Sequence, residues 1–139
     1  MPTHSFIIES EYHNVTDILA DVRAFVLGNN VTAKESADIE VCMLEAMNNV
    51  IRHSYKGKSG FPIEIKVSVN SDQIDIEIID SGISREKFDK PTLDFDPDDI
   101  ENLPEGGMGL FIIDQIMTST NYEVKDGKNY YTMSKKLIH

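Results

Sequence analysis

The chain has 139 residues, with 13 lysines and arginines against 24 aspartates and glutamates, a formal charge of −11. That length fits one domain around a single core, and 40% apolar with 27% charged residues excludes the disordered, collagenous and disulfide-stapled classes. So acidic a surface argues against nucleic acid, and against an anionic membrane, as the main partner, because both demand a basic footprint.

The N-terminal Met-Pro-Thr-His-Ser lacks the basic and apolar regions of a signal peptide, and no apolar run approaches the roughly 18 residues that span a bilayer. Cys42 is the one cysteine, so no intrachain disulfide forms and the expected compartment is a reducing cytoplasm.

Residues 5–8 form a short apolar run closed by Glu9, which predicts a first strand. From Val15 the apolar residues recur at Ile18, Leu19, Val22, Phe25 and Val26, the spacing of one helix face, and Gly28-Asn29-Asn30 supplies a stop. A second helix opens at Thr32-Ala33-Lys34-Glu35, a capping box. Ile39, Met43, Ala46 and Val50 form its buried stripe, and the glycines at 57 and 60 end it. Strict alternation then places Ile63, Ile65, Val67 and Val69 on one face of a strand, and Ile74, Ile76 and Ile78 on one face of the next. The turn Asn70-Ser71-Asp72 joins the two as a hairpin.

Residues 83–107 differ in kind, with prolines at 91, 97 and 104 and a run of acids, and predict a long surface loop. Leu110, Ile113, Ile116 and Met117 predict a short helix behind a glycine cluster, and Asp126-Gly127 joins two last strands around 122–124 and 130–137. The pattern gives one α+β domain over 1–139, a two-layer sandwich with helices packed on one face of a mixed, mainly antiparallel sheet.

Three places hold residue types suited to chemistry. On the second helix Glu45, Asn49, Arg52 and His53 are expected on the side opposite the apolar stripe. Glu45 and Asn49, four apart, bring a proton acceptor beside an oxygen ligand for a hard cation; the same face is equally readable as solvated. Asp80-Ser81-Gly82 follows a strand, where an aspartate can accept from an exocyclic amine and glycine lets a ring approach, or where the three make an ordinary turn. Gly106-Gly107-Met108-Gly109 before a helix can present N–H groups to an anion, or serve as a plain loop exit.

Together these segments resemble a known family. Glu45-Ala46-Met47-Asn48-Asn49-Val50-Ile51-Arg52-His53-Ser54-Tyr55 resembles the N-box of the GHKL (histidine-kinase-like) ATPase superfamily, Asp80-Ser81-Gly82-Ile83 its adenine box, and Gly107-Met108-Gly109-Leu110-Phe111-Ile112 its second glycine box. Order and spacing agree over residues 6–137. The short domain, the Asn-x-x-x-His-x-Tyr ending and the Leu-Pro-Glu-Gly-Gly-x-Gly-Leu exit are most similar to the anti-sigma-factor serine/threonine kinases.

The resemblance implies a Bergerat fold that binds ATP and Mg²⁺. It implies Glu45 as general base, Asn49 as the Mg²⁺ ligand, Asp80 on the adenine amine and Gly82 beneath the ring. Gly107, Met108, Gly109 and Leu110 are implied at the phosphates, with a lid over about 83–106. Its partners are implied to be a STAS-domain anti-sigma antagonist, phosphorylated on serine, and a sigma factor, with the chain as a homodimer; Phe6, Ile7 and Ile8 on an early strand are the local hint of one. Two positions depart from the pattern: Ser84 replaces the second glycine of the adenine box, and the late-strand threonine has its counterpart open among Thr132, Asn129 and Tyr130. The alternative reading is a nucleotide-gated interaction module of the same fold with little or no kinase activity. Seven of the 24 acids lie between Asp89 and Glu105, a concentration that suggests a basic partner or lid gating.

Overall fold

Residues 2–84 and 108–137 are described in a computed structural model. Strand β1 (Thr3–Glu9) leads to helices α1 (Tyr12–Leu27) and α2 (Ala33–Asn49) and a π-helical turn (Val50–Ser54); β2 (Pro62–Val69), β3 (Gln73–Asp80), α3 (Met108–Ile116), β4 (Ser119–Lys125) and β5 (Lys128–Lys136) follow. The acidic loop and the glycines at 106 and 107 lie outside the described residues, apart from Ile83 and Ser84.

The five strands form one sheet in the order β1-β2-β3-β5-β4, and all four pairings are antiparallel. A mixed sheet was expected from the sequence. The difference lies in the last hairpin, which docks its second strand on β3; β4 beside β3 would have made a parallel pair. The hairpin turn places both Asp126 (φ 52°) and Gly127 (φ 75°) in the left-handed region, as a two-residue turn matched to strand twist requires.

Alternation decides which face is covered. Ile63, Ile65, Val67, Ile74, Ile76, Ile78 and Met133 are fully buried against Val15, Val22, Ile39, Met43 and Met47 of α1 and α2 and Ile113 of α3. Lys66, Glu77 and Thr132, directly opposite one another across β2, β3 and β5, fall on the other face.

The capping box is present: Thr32 Oγ1 accepts from the Glu35 N–H at 3.1 Å, and Glu35 Oε1 accepts from the Thr32 N–H at 3.1 Å. The far end of α2 departs from a plain α-helix. The Tyr55 N–H donates to Val50 O at 3.0 Å and the Gly57 N–H to Ile51 O at 2.7 Å, a widened turn of the kind found at functional sites. Its exit has Lys56 (φ 56°) and Gly57 (φ 77°) in left-handed conformation.

Cys42 is fully buried, and burial, reinforced by Asp38, pushes its thiol up to about 12. Thr32→Ala should lower the unfolding free energy by about 1 kcal/mol in urea titration. A thiol reagent at neutral pH should leave Cys42 unmodified until denaturant is added, which absorbance of the released leaving group will report.

Candidate functional site

The buried face of α2 is wider than its apolar stripe. Asn49 is only 9% exposed and Glu45 is half-buried, so the expectation that both stand opposite the stripe is corrected. A 100° step per residue sets Asn49 on the flank of the Ile39-Met43-Ala46-Val50 row, where α3 packs on α2. Arg52 is exposed and His53 half-buried. Asn49 Nδ2 is buried with no hydrogen-bond partner.

The start of α3 meets this flank. A Cβ on Gly109 would lie 2.7 Å from Glu45 Oε2 and 3.3 Å from Glu45 Cβ, so a side chain at 109 would make the Glu45 carboxylate leave its present position. Met108 opens α3, Leu110 is 4% exposed, and Gly107 falls outside the described residues.

At the end of β3, Asp80 is 4% exposed. Its Oδ1 accepts from the Gly82 N–H at 2.9 Å and from Asn129 Nδ2 at 2.8 Å, and the Ser54 hydroxyl also bonds the carboxyl. A carboxylate offers about four acceptor sites, so these three donors leave room for another. Burial holds the Asp80 carboxyl above its ordinary range, and the three hydrogen bonds pull back toward the ionised form.

The π turn and the segment after β3 are locked together. A Cβ on Gly82 would sit 2.4 Å from Ser54 O, and the Ile83 N–H donates to that same carbonyl at 2.8 Å. The Tyr55 hydroxyl donates to Pro62 O at 2.5 Å and accepts from the Ser81 N–H at 2.9 Å. Ser84 is exposed.

Between these walls lies a cleft lined by Ala46, Asn49, Val50, Ser54, Asp80, Leu110, Tyr122 and Tyr131. Asn49 and Asp80, far apart in sequence, thus share one space, while Glu45 lies one turn earlier on α2, beside Gly109. The cleft offers about 30 Å³ to the centre of a water-sized molecule, enough to admit water.

Register decides which of the three late-strand residues touches Asp80. Asn129 pairs opposite Asp80, is 2% exposed, and also donates to Gly82 O at 3.2 Å. Thr132 lies opposite Glu77, with Glu77, Asn121 and Tyr130 in a groove on the far face of the sheet. The residue bonded to Asp80 is therefore Asn129. Ser54 was given no role from the sequence, whereas Asn129 stood among the late-strand candidates; its place two residues after Gly127 fixes its face once β5 pairs with β3.

Residues 8–135 match the histidine kinase-like ATPase domain family. The chain belongs to that family. Among relatives of this ATPase domain, the anti-sigma F factor of Clostridium beijerinckii is 29% identical over 118 residues, 83% of this chain and 80% of that protein. The serine-protein kinase RsbW of Oceanobacillus iheyensis is 34% identical over 99 residues, 69% of this chain and 60% of that protein. The structure of the RsbU and RsbW domains of Rv1364c from Mycobacterium tuberculosis superposes with a TM-score of 0.69 at 14% identity, covering 99% of this chain and 33% of that one, a likeness of fold. No helix among the described residues is long and apolar enough to cross a membrane.

The raised Asp80 carboxyl carries a sign. A carboxyl whose folded value lies above its ordinary 3.8 stabilises the fold in its protonated form; that contribution is full below 3.8 and is lost as pH rises through the folded value. Urea titrations from pH below 3.8 to neutrality should therefore show Asp80→Asn gaining stability relative to the wild type as pH rises. Parallel profiles would mean that the ionised carboxylate costs the fold nothing.

Proposed function

We propose that this chain is an anti-sigma-factor-type serine kinase, which binds Mg-ATP in the Asp80 cleft, phosphorylates a serine of a STAS-type antagonist and sequesters a sigma factor. The observation that carries the reading is the meeting of Asn49 and Asp80 in one cleft with Leu110 of α3, with Glu45 one turn before Asn49 on α2 and beside Gly109. The names of the relatives, anti-sigma F factor and serine-protein kinase RsbW, support the choice of partners and reaction.

In this reading Asp80, held by Asn129, Ser54 and Gly82, accepts from the adenine amine, and Gly82 lies beneath the ring. Gly107, Met108, Gly109 and Leu110 hold the phosphates at the N-terminus of α3, where N–H groups and the helix dipole favour anions even in a chain of charge −11.

The orphaned Asn49 amide fits a metal ligand, since rotation about its last torsion turns an oxygen into the cleft. Bound there, Mg²⁺ neutralises phosphate charge. Glu45 takes the serine proton as the hydroxyl oxygen bonds the γ-phosphorus and ADP leaves, a reaction that asks the protein chiefly for position and charge. Gly109 sets where that carboxylate points. The lid is assigned to about 83–106 within the single domain 1–139, and the compartment is the cytoplasm. The homodimer finds its support in β1, an edge strand on which Ile7 is 71% exposed.

Purified protein with labelled ATP and the antagonist should label a serine. Glu45→Gln should reduce labelling at least about a hundredfold while keeping the Mg-ATP melting shift, which at a hundred times Kd corresponds to about 2.7 kcal/mol. Asp80→Ala should abolish the shift. Nucleotide-dependent partner binding without label would select the interaction-module reading, and no shift with saturating Mg-ATP would remove nucleotide altogether. Gly109→Ala, which pushes on Glu45 Oε2, should lower turnover more than nucleotide affinity.

A further inference from the structure

We propose that the groove between the exit of the π turn and the segment leaving β3 docks an acidic stretch of a protein partner carrying one bulky apolar residue. The proposal does not depend on nucleotide binding. The groove has a volume of about 390 Å³, and its walls include Lys56, Lys58, Phe61, Ser81 and Ile83.

Charge selects the occupant. No acid occurs between Glu45 and Glu64, whereas Arg52, Lys56 and Lys58 fall there, in a chain of net charge −11. Among the described residues none of these three cations forms an ion pair. Glu9 and Glu11 in the adjoining connection do not line the groove. Phe61 is 43% and Ile83 59% exposed, which adds an apolar seat between cationic walls. Lysines flanking an apolar seat, within a groove sized for a few side chains, match a short carboxylate-rich protein segment with one apolar residue.

The seat is also pre-organised. Ser10 Oγ donates to Lys58 O at 2.8 Å and accepts from the Phe61 N–H at 3.0 Å, and the Ser10 N–H donates to Phe61 O at 2.7 Å. Tyr55 stacks on Phe61 with centroids 5.1 Å apart. Lys56, at φ 56°, keeps a conformation rare for a residue with a side chain. The backbone at Lys58 and Phe61 and the ring of Phe61 are thus held in place within an exposed loop, which lowers the ordering cost of binding.

The test uses the full ¹⁵N-labelled chain and the probe peptide acetyl-Glu-Glu-Leu-Glu-Asp-Glu-amide, followed by amide shifts. Saturable shifts centred on Lys56, Lys58, Phe61 and Ile83 are expected, with affinity falling as salt rises. The double variant K56E/K58E and, separately, Phe61→Ser should each bind about tenfold more weakly, with melting temperatures near the wild-type value. A peptide with Ser in place of Leu should also lose affinity. Shifts centred on Lys125 and Lys128, equal binding of a lysine-substituted peptide, or unchanged affinity in both variants would overturn the proposal. Concentration-dependent shifts at the groove without peptide, abolished in K56E/K58E, would assign the seat to a second copy of this chain and overturn the foreign partner.

Discussion

A buried carboxylate sets the terms for the whole upper end of this domain. Asp80, 4% exposed, stays useful as an acceptor only while donors surround it, since an uncompensated charge out of water is costly. Those donors come from three separate elements: the π turn through Ser54, the chain after β3 through Gly82, and β5 through Asn129. Each must be in place at once. A slip of one residue between β3 and β5 would turn Asn129 to the far face and offer Tyr130 instead, so sheet register and the state of the carboxyl are one question.

The widened turn at the end of α2 makes the same demand from the other side. Ser54 O receives the Ile83 N–H and leaves no room for a Cβ at 82; glycine is required there by contact, with no need of a left-handed backbone. Its neighbour Tyr55 spans Pro62 O and the Ser81 N–H. The hydroxyl thereby ties the end of β3 to the start of β2, and the segment leaving β3 inherits a fixed exit.

Most of the fold was legible in the sequence because periodicity reports burial directly. The alternating isoleucines of β2 and β3, the Thr32-Glu35 box and the Asp126-Gly127 turn each bring a local cause for a local shape, and each is present. The π turn was hidden, because nothing between Val50 and Ser54 breaks a helical pattern; what distinguishes it is the contact of Ser54 O with Gly82 and Ile83, distant in sequence. The all-antiparallel sheet was hidden for a related reason, since local pattern cannot say which strand of the last hairpin docks on β3. At the site, Glu45, Asn49 and Asp80 carried recognisable spacing; Asn129 was one of three late-strand candidates among which only register could choose, and Ser54 became visible only through the widened turn. The placement of Asn49 opposite the apolar stripe failed because one stripe of four residues understated how much of α2 is covered once α3 packs beside it.

The absence of a side chain at 109 has a mechanical meaning. Glu45 lies beside the first turn of α3, with Oε2 2.7 Å from where a Cβ would stand, so a side chain at 109 and the present position of that carboxylate exclude each other. The rotamer of an acid on α2 thus depends on the identity of a residue on α3.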